Sequence, residues 1–296
     1  NFGGGVSGVR CRITNNLITN FEGNGIDFHG GTGQSDSIAH NLIQSNYNSV
    51  KLVDAYTDPS NKIFQYNTFT GIPQEEMVRL FGSNHKLHYN NFMNNQGIIV
   101  RNYDSEPVNA LNNYWGGDDN AIIPNLIYDF FDDFELGQIS YDPPISSPTT
   151  LAPISPPSAT QKNNSSGNLI VSWNANNESD ISGYKIHYGN YTGYSFANTI
   201  DIGNVTSYNL SGLVTSIDSV VAVTAYDNSA DGTDDMVEGN ESWYAIADTP
   251  PEPISNLAAV VGNNNQVNLN WDASNSSNVS SYKVFRNGSM ATAALG

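Results

Sequence analysis

Five asparagines recur along the first 113 residues of this chain at near-constant spacing, each inside the same local pattern. They are Asn16 in ITNNLI, Asn41 in IAHNLI, Asn67 in FQYNTF, Asn90 in LHYNNF and Asn113 in ALNNYW, separated by 25, 26, 23 and 23 residues. Three residues before each Asn stands Ile13, Ile38, Phe64, Leu87 or Ala110; two residues after it stands Ile18, Ile43, Phe69, Phe92 or Trp115. A second strand-like run follows within the units: GIDFHG, SVKLVDA, MVRLFGS and GIIVRN. Asn is disfavoured in strands, and a buried amide must be hydrogen-bonded, so its return needs a structural reason. A period of this length marks a solenoid, propeller or array whose units bury their apolar side chains only against neighbours. Helical repeats are excluded, because the units lack a 3.6-residue apolar period and are rich in Gly and Asn. In stacked coils each Asn lies over its equivalent at the strand spacing of about 4.8 Å, so the amides form a ladder. Asn also tolerates the left-handed backbone of a tight turn. Asn16 is therefore expected against Asn41, with Asn15 less constrained.

These units resemble the coils of the right-handed parallel β-helix of the pectin-lyase-like superfamily, over residues 1 to about 142. The resemblance implies fold more than activity, since that fold hosts lyases, hydrolases, adhesins and tailspikes. After the last unit, Ile122, Leu126, Ile127, Phe130 and Phe134 recur at four-residue or neighbouring spacing. That pattern predicts a short helix capping the stack, started by Asp118 or Asp119 with Pro124 in its first turn, and then a strand at QISY. The run from NNYWGG to IYDFFDDFELGQISYDP is similar to the closing segment of bacterial secreted β-helix proteins. Asp129, Asp132, Asp133 and Glu135 read as the solvated face of that helix.

Residues 143–157 hold six prolines among Ser, Thr and Ala, the composition of a semi-extended linker. Beyond it the alternation has period two: Leu169, Val171 and Trp173 share one strand face, and Tyr184, Ile186 and Tyr188 another. The order of Trp173, Tyr184, Leu210/Leu213 and VAVTAYD resembles a fibronectin type III domain over 158–249. Residues 250–296 repeat the linker, the Trp strand (Trp271) and the Tyr strand (Tyr282), a partial second copy. The expected fold class is all-β: a right-handed parallel β-helix followed by one complete and one partial fibronectin type III-like β-sandwich. Both ends read as cut from a longer chain, and lengthwise self-assembly through them is an alternative.

Acidic residues number 29 against 11 Lys+Arg, a net charge of −18. Nucleic acid is excluded as a partner, because such binding neutralises phosphates with Lys and Arg. No apolar run is long enough to span a bilayer, and a single cysteine, Cys11, excludes an intrachain disulfide. Aligning the second strands places Asp27, Lys51 and Arg79 in one outward column, with His29 and Arg101 in a neighbouring one. These are candidate ligand-binding residues for a uronate-bearing polysaccharide or cell-surface glycan, or else a ladder of cross-strand ion pairs. No column shows the paired carboxylates that a hydrolase needs. DNSADGTDDMVE, residues 227–238, fits a twelve-residue Ca²⁺ loop, with Asp227, Ser229, Asp231, Thr233 (through its carbonyl), Asp235 and Glu238 as ligands and Gly232 at the sharp turn. Ser229 departs from the Asp or Asn usual at the third position, and a solvated acidic hairpin is the competing reading. Two functions remain open: a secreted or cell-surface structural or adhesive protein, and a polysaccharide lyase or glycoside hydrolase with a β-helix catalytic domain.

Overall fold

The repeat folds as a parallel β-helix built from three sheets. The computed structural model describes residues 11–29, 35–45, 49–57, 61–93, 96–165, 167–227, 241–250, 254–262, 266–274, 279, 281–286 and 289–290. The first sheet stacks Arg12–Thr14, Asp36–Ala39, Lys62–Gln65, Lys86–His88, Val108–Asn109 and Ile139–Ser140. The second stacks Leu17–Ile18, Leu42–Gln44, Thr68–Thr70, Asn91–Phe92 and Tyr114–Trp115; the third stacks Gly23–His29, Ser49–Thr57, Val78–Leu80, Val100–Asn102 and Ile127–Tyr128. The columns read from the repeat are in register: Ile13 on Ile38 on Phe64 on Leu87, and Ile18 on Ile43 on Phe69 on Phe92 on Trp115. All but Ile18 are buried in one continuous core, where Phe69, Phe92 and Trp115 stack at 5.0 and 4.9 Å.

The asparagine ladder runs the length of the stack. Asn16, Asn41, Asn67 and Asn90 each donate from Nδ2 to Oδ1 of the next ladder Asn, at 3.0, 2.9, 2.9 and 3.0 Å. The same Oδ1 also accepts the backbone N–H of the preceding rung's Asn, at 2.9–3.1 Å. The left-handed residue at each corner, however, is the one before the ladder Asn: Asn15, His40, Tyr66, Tyr89 and Asn112, all with φ between 53° and 59°. Asn15 thus carries the left-handed backbone, while its exposed side chain stands outside the ladder that Asn16 joins. Left-handed backbone costs a residue with a Cβ about 1–2 kcal/mol. Asn bears it at the two outer corners, while His40, Tyr66 and Tyr89 recover part of it by stacking at 5.2 and 5.6 Å.

The predicted capping helix shrinks to one 3₁₀ turn, Ile123–Leu126. Ile127–Tyr128 leaves it to pair with Val100–Arg101, which would otherwise present unpaired backbone. Phe130 and Phe134 consequently lie exposed instead of on a buried helical face. Asp129 is buried rather than solvated: its carboxylate accepts the N–H of Phe131 and of Ile139, holding the turn that leads to the last strand. The Pro-rich segment is strapped along the second sheet. Thr149 exchanges both backbone hydrogen bonds with the Asn91 amide, and Thr68 Oγ1 donates to the Pro153 carbonyl.

Beyond the strap stand two antiparallel sheets sharing one core. One holds Gln161–Ser165, Asn168–Ser172 and Ser207–Asn209; the other holds Phe196–Gly203, Ile181–Tyr191, Val221–Asp227 and Ala245–Ile246. Leu169, Val171 and Trp173 meet Tyr184, Ile186, Val221 and Val223 between them. The Tyr184 hydroxyl accepts the N–H of Asn176, and Tyr282 repeats this with Ser274, while Trp271 lies 5.6 Å from Tyr282 as Trp173 lies 5.3 Å from Tyr184. The internal duplication is therefore structural as well as sequential. Around Ser255–Val261 and Val267–Asp272, Leu257, Val260, Val261 and Val267 are exposed.

Glu241 is buried beside Ile181–Tyr191 and Val221–Asp227, the central strands of the four-stranded sheet in the second unit, residues 161–248. Burial pushes its carboxyl pKa up, but hydrogen bonds from His187, Lys185 and Thr224 outweigh that and hold it below the ordinary 4.5. A carboxyl held low in the folded state stabilises above its unfolded pKa and loses that contribution as pH falls through the folded value. The urea midpoint of this unit is therefore expected to decline below about pH 4.5. Glu241→Gln should flatten that decline; an unchanged slope in the variant would show that other groups set it.

Candidate functional site

The outward face of the third sheet concentrates the charged residues of the β-helix. Its register differs from the aligned one. Asp27 lies beside Asp54, then Arg79, Arg101 and Tyr128, all in a single column. Lys51 pairs instead with Asn24, so it belongs three positions away from the column assigned to it. Arg101 stands in the same column as Arg79, not a neighbouring one. His29 pairs in register with Thr57, but its side chain lies outside the described residues. The column does carry two adjacent carboxylates, Asp27 and Asp54, which the sequence alignment concealed. The Asn24 amide nitrogen bridges them, at 2.7 Å from Asp27 Oδ1 and 3.2 Å from Asp54 Oδ2.

Most of the charges on this face are neutralised locally. Arg79 binds Glu76 through Nε at 2.6 Å, Glu75 through Nη2 at 2.9 Å and Asp54 through Nη1 at 3.6 Å. Lys51, buried at its head, contacts Glu75 and lies 3.9 Å from Asp54. The Lys51 hydrogen bond holds the Glu75 carboxyl below its usual range against a smaller opposing effect of burial. Burial alone would lower the Arg79 pKa; the Glu76 hydrogen bond together with the Glu76 and Asp54 charges more than reverses this and keeps the guanidinium firmly charged.

Arg101 is built differently. Its guanidinium lies 4.5 Å from the centre of the Tyr103 ring and 4.0 Å from that of Tyr128, a cation seated between two aromatic faces. It makes no ion pair or hydrogen bond among the described residues, and its Nε is buried without a partner. Burial, followed by the Glu76 charge, pushes the Tyr103 phenol pKa up, so the ring stays neutral. Sequence reasoning found Arg101 but missed Asp54, Glu75, Glu76, Tyr103 and Tyr128. Tyr103 lies two residues beyond Arg101, a same-face spacing on a strand, and was legible in principle.

Among the described residues no group of three or more His, Cys, Asp and Glu is placed to hold a metal ion. Asp227 ends its strand, while Ser229, Asp231, Thr233, Asp235 and Glu238 of the expected Ca²⁺ loop lie outside the described residues. No helix among the described residues is long and apolar enough to cross a membrane. No protein-family model matches the chain, and the search of curated proteins returned no match.

Proposed function

We propose that this chain belongs to a secreted or cell-surface protein that binds acidic glycans on the third-sheet face of its β-helix. In this reading the helix is right-handed and of the pectin-lyase-like type, and the antiparallel units are fibronectin type III-like spacers. One observation carries it: Arg101 is a guanidinium held between two tyrosines with no carboxylate partner among the described residues, beside an Arg79 that meets Asp54, Glu75 and Glu76. A planar guanidinium with free donors matches a carboxylate in bidentate fashion. The net charge of −18 opposes an acidic ligand only at long range, and physiological salt screens charges beyond about 8 Å.

Affinity electrophoresis of the whole chain through gels containing polygalacturonate, alginate or neutral xylan tests this. A polyuronate should retard the parent protein, and Arg101→Ala should weaken that binding at least about tenfold, roughly 1.4 kcal/mol. Arg101→Lys should restore it only in part, because an ammonium lacks the planar fork. Equal mobility of parent and Arg101→Ala in every gel sinks the proposal. A specific observation favours a second reading, cleavage. Asp27 and Asp54 are strand neighbours, about 5 Å apart by strand spacing, near the separation of retaining glycosidases. New reducing ends in the same incubations, lost on Asp54→Asn, would make cleavage the function.

A further inference from the structure

A cleft of about 560 Å³ separates the β-helix from the second unit, a volume within the range of small-ligand sites. The β-helix wall is polar and periodic. Gln44 and Thr70 end successive strands of the second sheet in register, about 4.8 Å apart, and Thr19 directly follows the neighbouring strand Leu17–Ile18. The opposite wall is aromatic, formed by Tyr191, Trp243 and Tyr244. Those rings are fixed from behind. Tyr191 stacks on Phe196 at 4.4 Å, Phe196 meets Tyr244 edge-on at 5.0 Å, and Trp243 lies 4.9 Å from Tyr244. His187 supports Tyr244 at 4.9 Å and is itself hydrogen-bonded to Thr199 and Thr224. Asn20, residues 156–160, Ala245 and Ile246 complete the lining.

Two features define what this cleft takes. First, none of its lining residues is charged, in a chain carrying 29 acidic and 11 basic side chains. A charged ligand would find no counter-charge there, so the occupant is neutral. Second, Gln44 Oε1 is buried at the wall with no hydrogen-bond partner among the described residues. A buried acceptor without a donor is costly, and the broad terminal torsion of Gln lets it turn toward an incoming hydroxyl. A purely apolar occupant would leave that acceptor unsatisfied. A ligand with hydroxyls along one edge and C–H faces on the other satisfies both walls. The strand spacing of the polar row, about 4.8 Å, is close to the length of one pyranose ring in an extended glycan.

We infer that the cleft is a second, separate carbohydrate site, specific for an uncharged oligosaccharide stacked on Tyr191, Trp243 and Tyr244 and hydrogen-bonded by Thr19, Gln44 and Thr70. It is independent of Arg101, and the two sites together make the chain a bridge between an acidic and a neutral glycan. The test titrates the whole chain with cellohexaose, xylohexaose and mannohexaose by calorimetry and tryptophan fluorescence. Trp115 and Trp173 are buried and the half-buried Trp271 does not line the cleft, so a binding-linked change in emission is expected to come from Trp243. At least one hexaose should bind. Trp243→Ala and Gln44→Met should each weaken it at least tenfold without moving the urea midpoint of the β-helix, and Arg101→Ala should leave it unchanged. Absence of binding by all three sugars at millimolar concentration overturns the inference. So does binding that both cleft variants retain, or that Arg101→Ala abolishes.

Discussion

Asn67→Ala is expected to destabilise the β-helix by about 4 kcal/mol, a large fraction of the roughly 5–15 kcal/mol margin of an ordinary domain. The Asn67 side chain is fully buried and serves five partners. Its Oδ1 accepts from the Asn41 backbone N–H at 3.1 Å and from Asn41 Nδ2 at 2.9 Å. Its Nδ2 donates to Ile38 O at 2.8 Å, Gln65 O at 3.2 Å and Asn90 Oδ1 at 2.9 Å. Alanine strands those groups in a dry interior, and each buried orphan costs about 1–3 kcal/mol before relaxation. Asn16→Ala is the control. Asn16 is half-buried at the end rung, with Asn41 Oδ1 and Thr14 O as its side-chain partners, so its loss should cost about 1 kcal/mol. Urea unfolding measures both. Equal costs would mean that the ladder contributes no more at Asn67 than at Asn16. Asn67→Asp probes the donors separately, since a carboxylate cannot donate to Ile38 O or Asn90 Oδ1. That variant should gain stability as pH falls and its carboxyl protonates.

Lys62→Met is the second large effect, about 3–5 kcal/mol. Lys62 is fully buried with its ammonium 3.1 Å from Asp36 Oδ2, directly across the strand pair, and 4.8 Å from the centre of the Phe28 ring. Asp36 is itself 5 % exposed, and its other oxygen accepts the Cys11 N–H. Removing the ammonium alone leaves a buried carboxylate facing a thioether. Removing both charges, in Asp36→Asn/Lys62→Met, takes away the desolvation cost together with the attraction, so most of the loss should return. A double-mutant cycle reads this directly. A double variant as unstable as the sum of the singles would show that the two charges are not coupled.

The first two sheets were legible because their register is fixed relative to the ladder. Ile13, Ile38, Phe64, Leu87 and Ala110 all stand three residues before the Asn, and Ile18 through Trp115 all stand two after it. The third sheet has no such constant. Asp27, Asp54, Arg79, Arg101 and Tyr128, which share a column, stand 11, 13, 12, 11 and 15 residues beyond their ladder Asn. Corner turns of unequal length absorb the difference. Matching strands by appearance therefore put Lys51 where Asp54 belongs and hid the carboxylate pair. The four-residue spacing of Ile122, Leu126, Phe130 and Phe134 likewise resembled a helix face. The open backbone of Val100–Arg101 competed for Ile127 and Tyr128 and won, because a strand rung satisfies hydrogen bonds that a helix lying over the end would leave unpaired.

The sequence by itself determined the coil: a repeated Asn between apolar columns has few ways to bury its amide, and a stacked ladder meets every donor and acceptor. It also determined the internal duplication, since Trp173 and Tyr184 return as Trp271 and Tyr282 at the same separation. The tertiary structure decided where chemistry gathers. Arg101 acquires its two tyrosine faces from different coils, and the cleft draws Gln44 and Trp243, almost two hundred residues apart, into facing walls. Local spacing encodes contacts within a rung. Contacts across rungs and between units depend on loop lengths and docking, which no local pattern records.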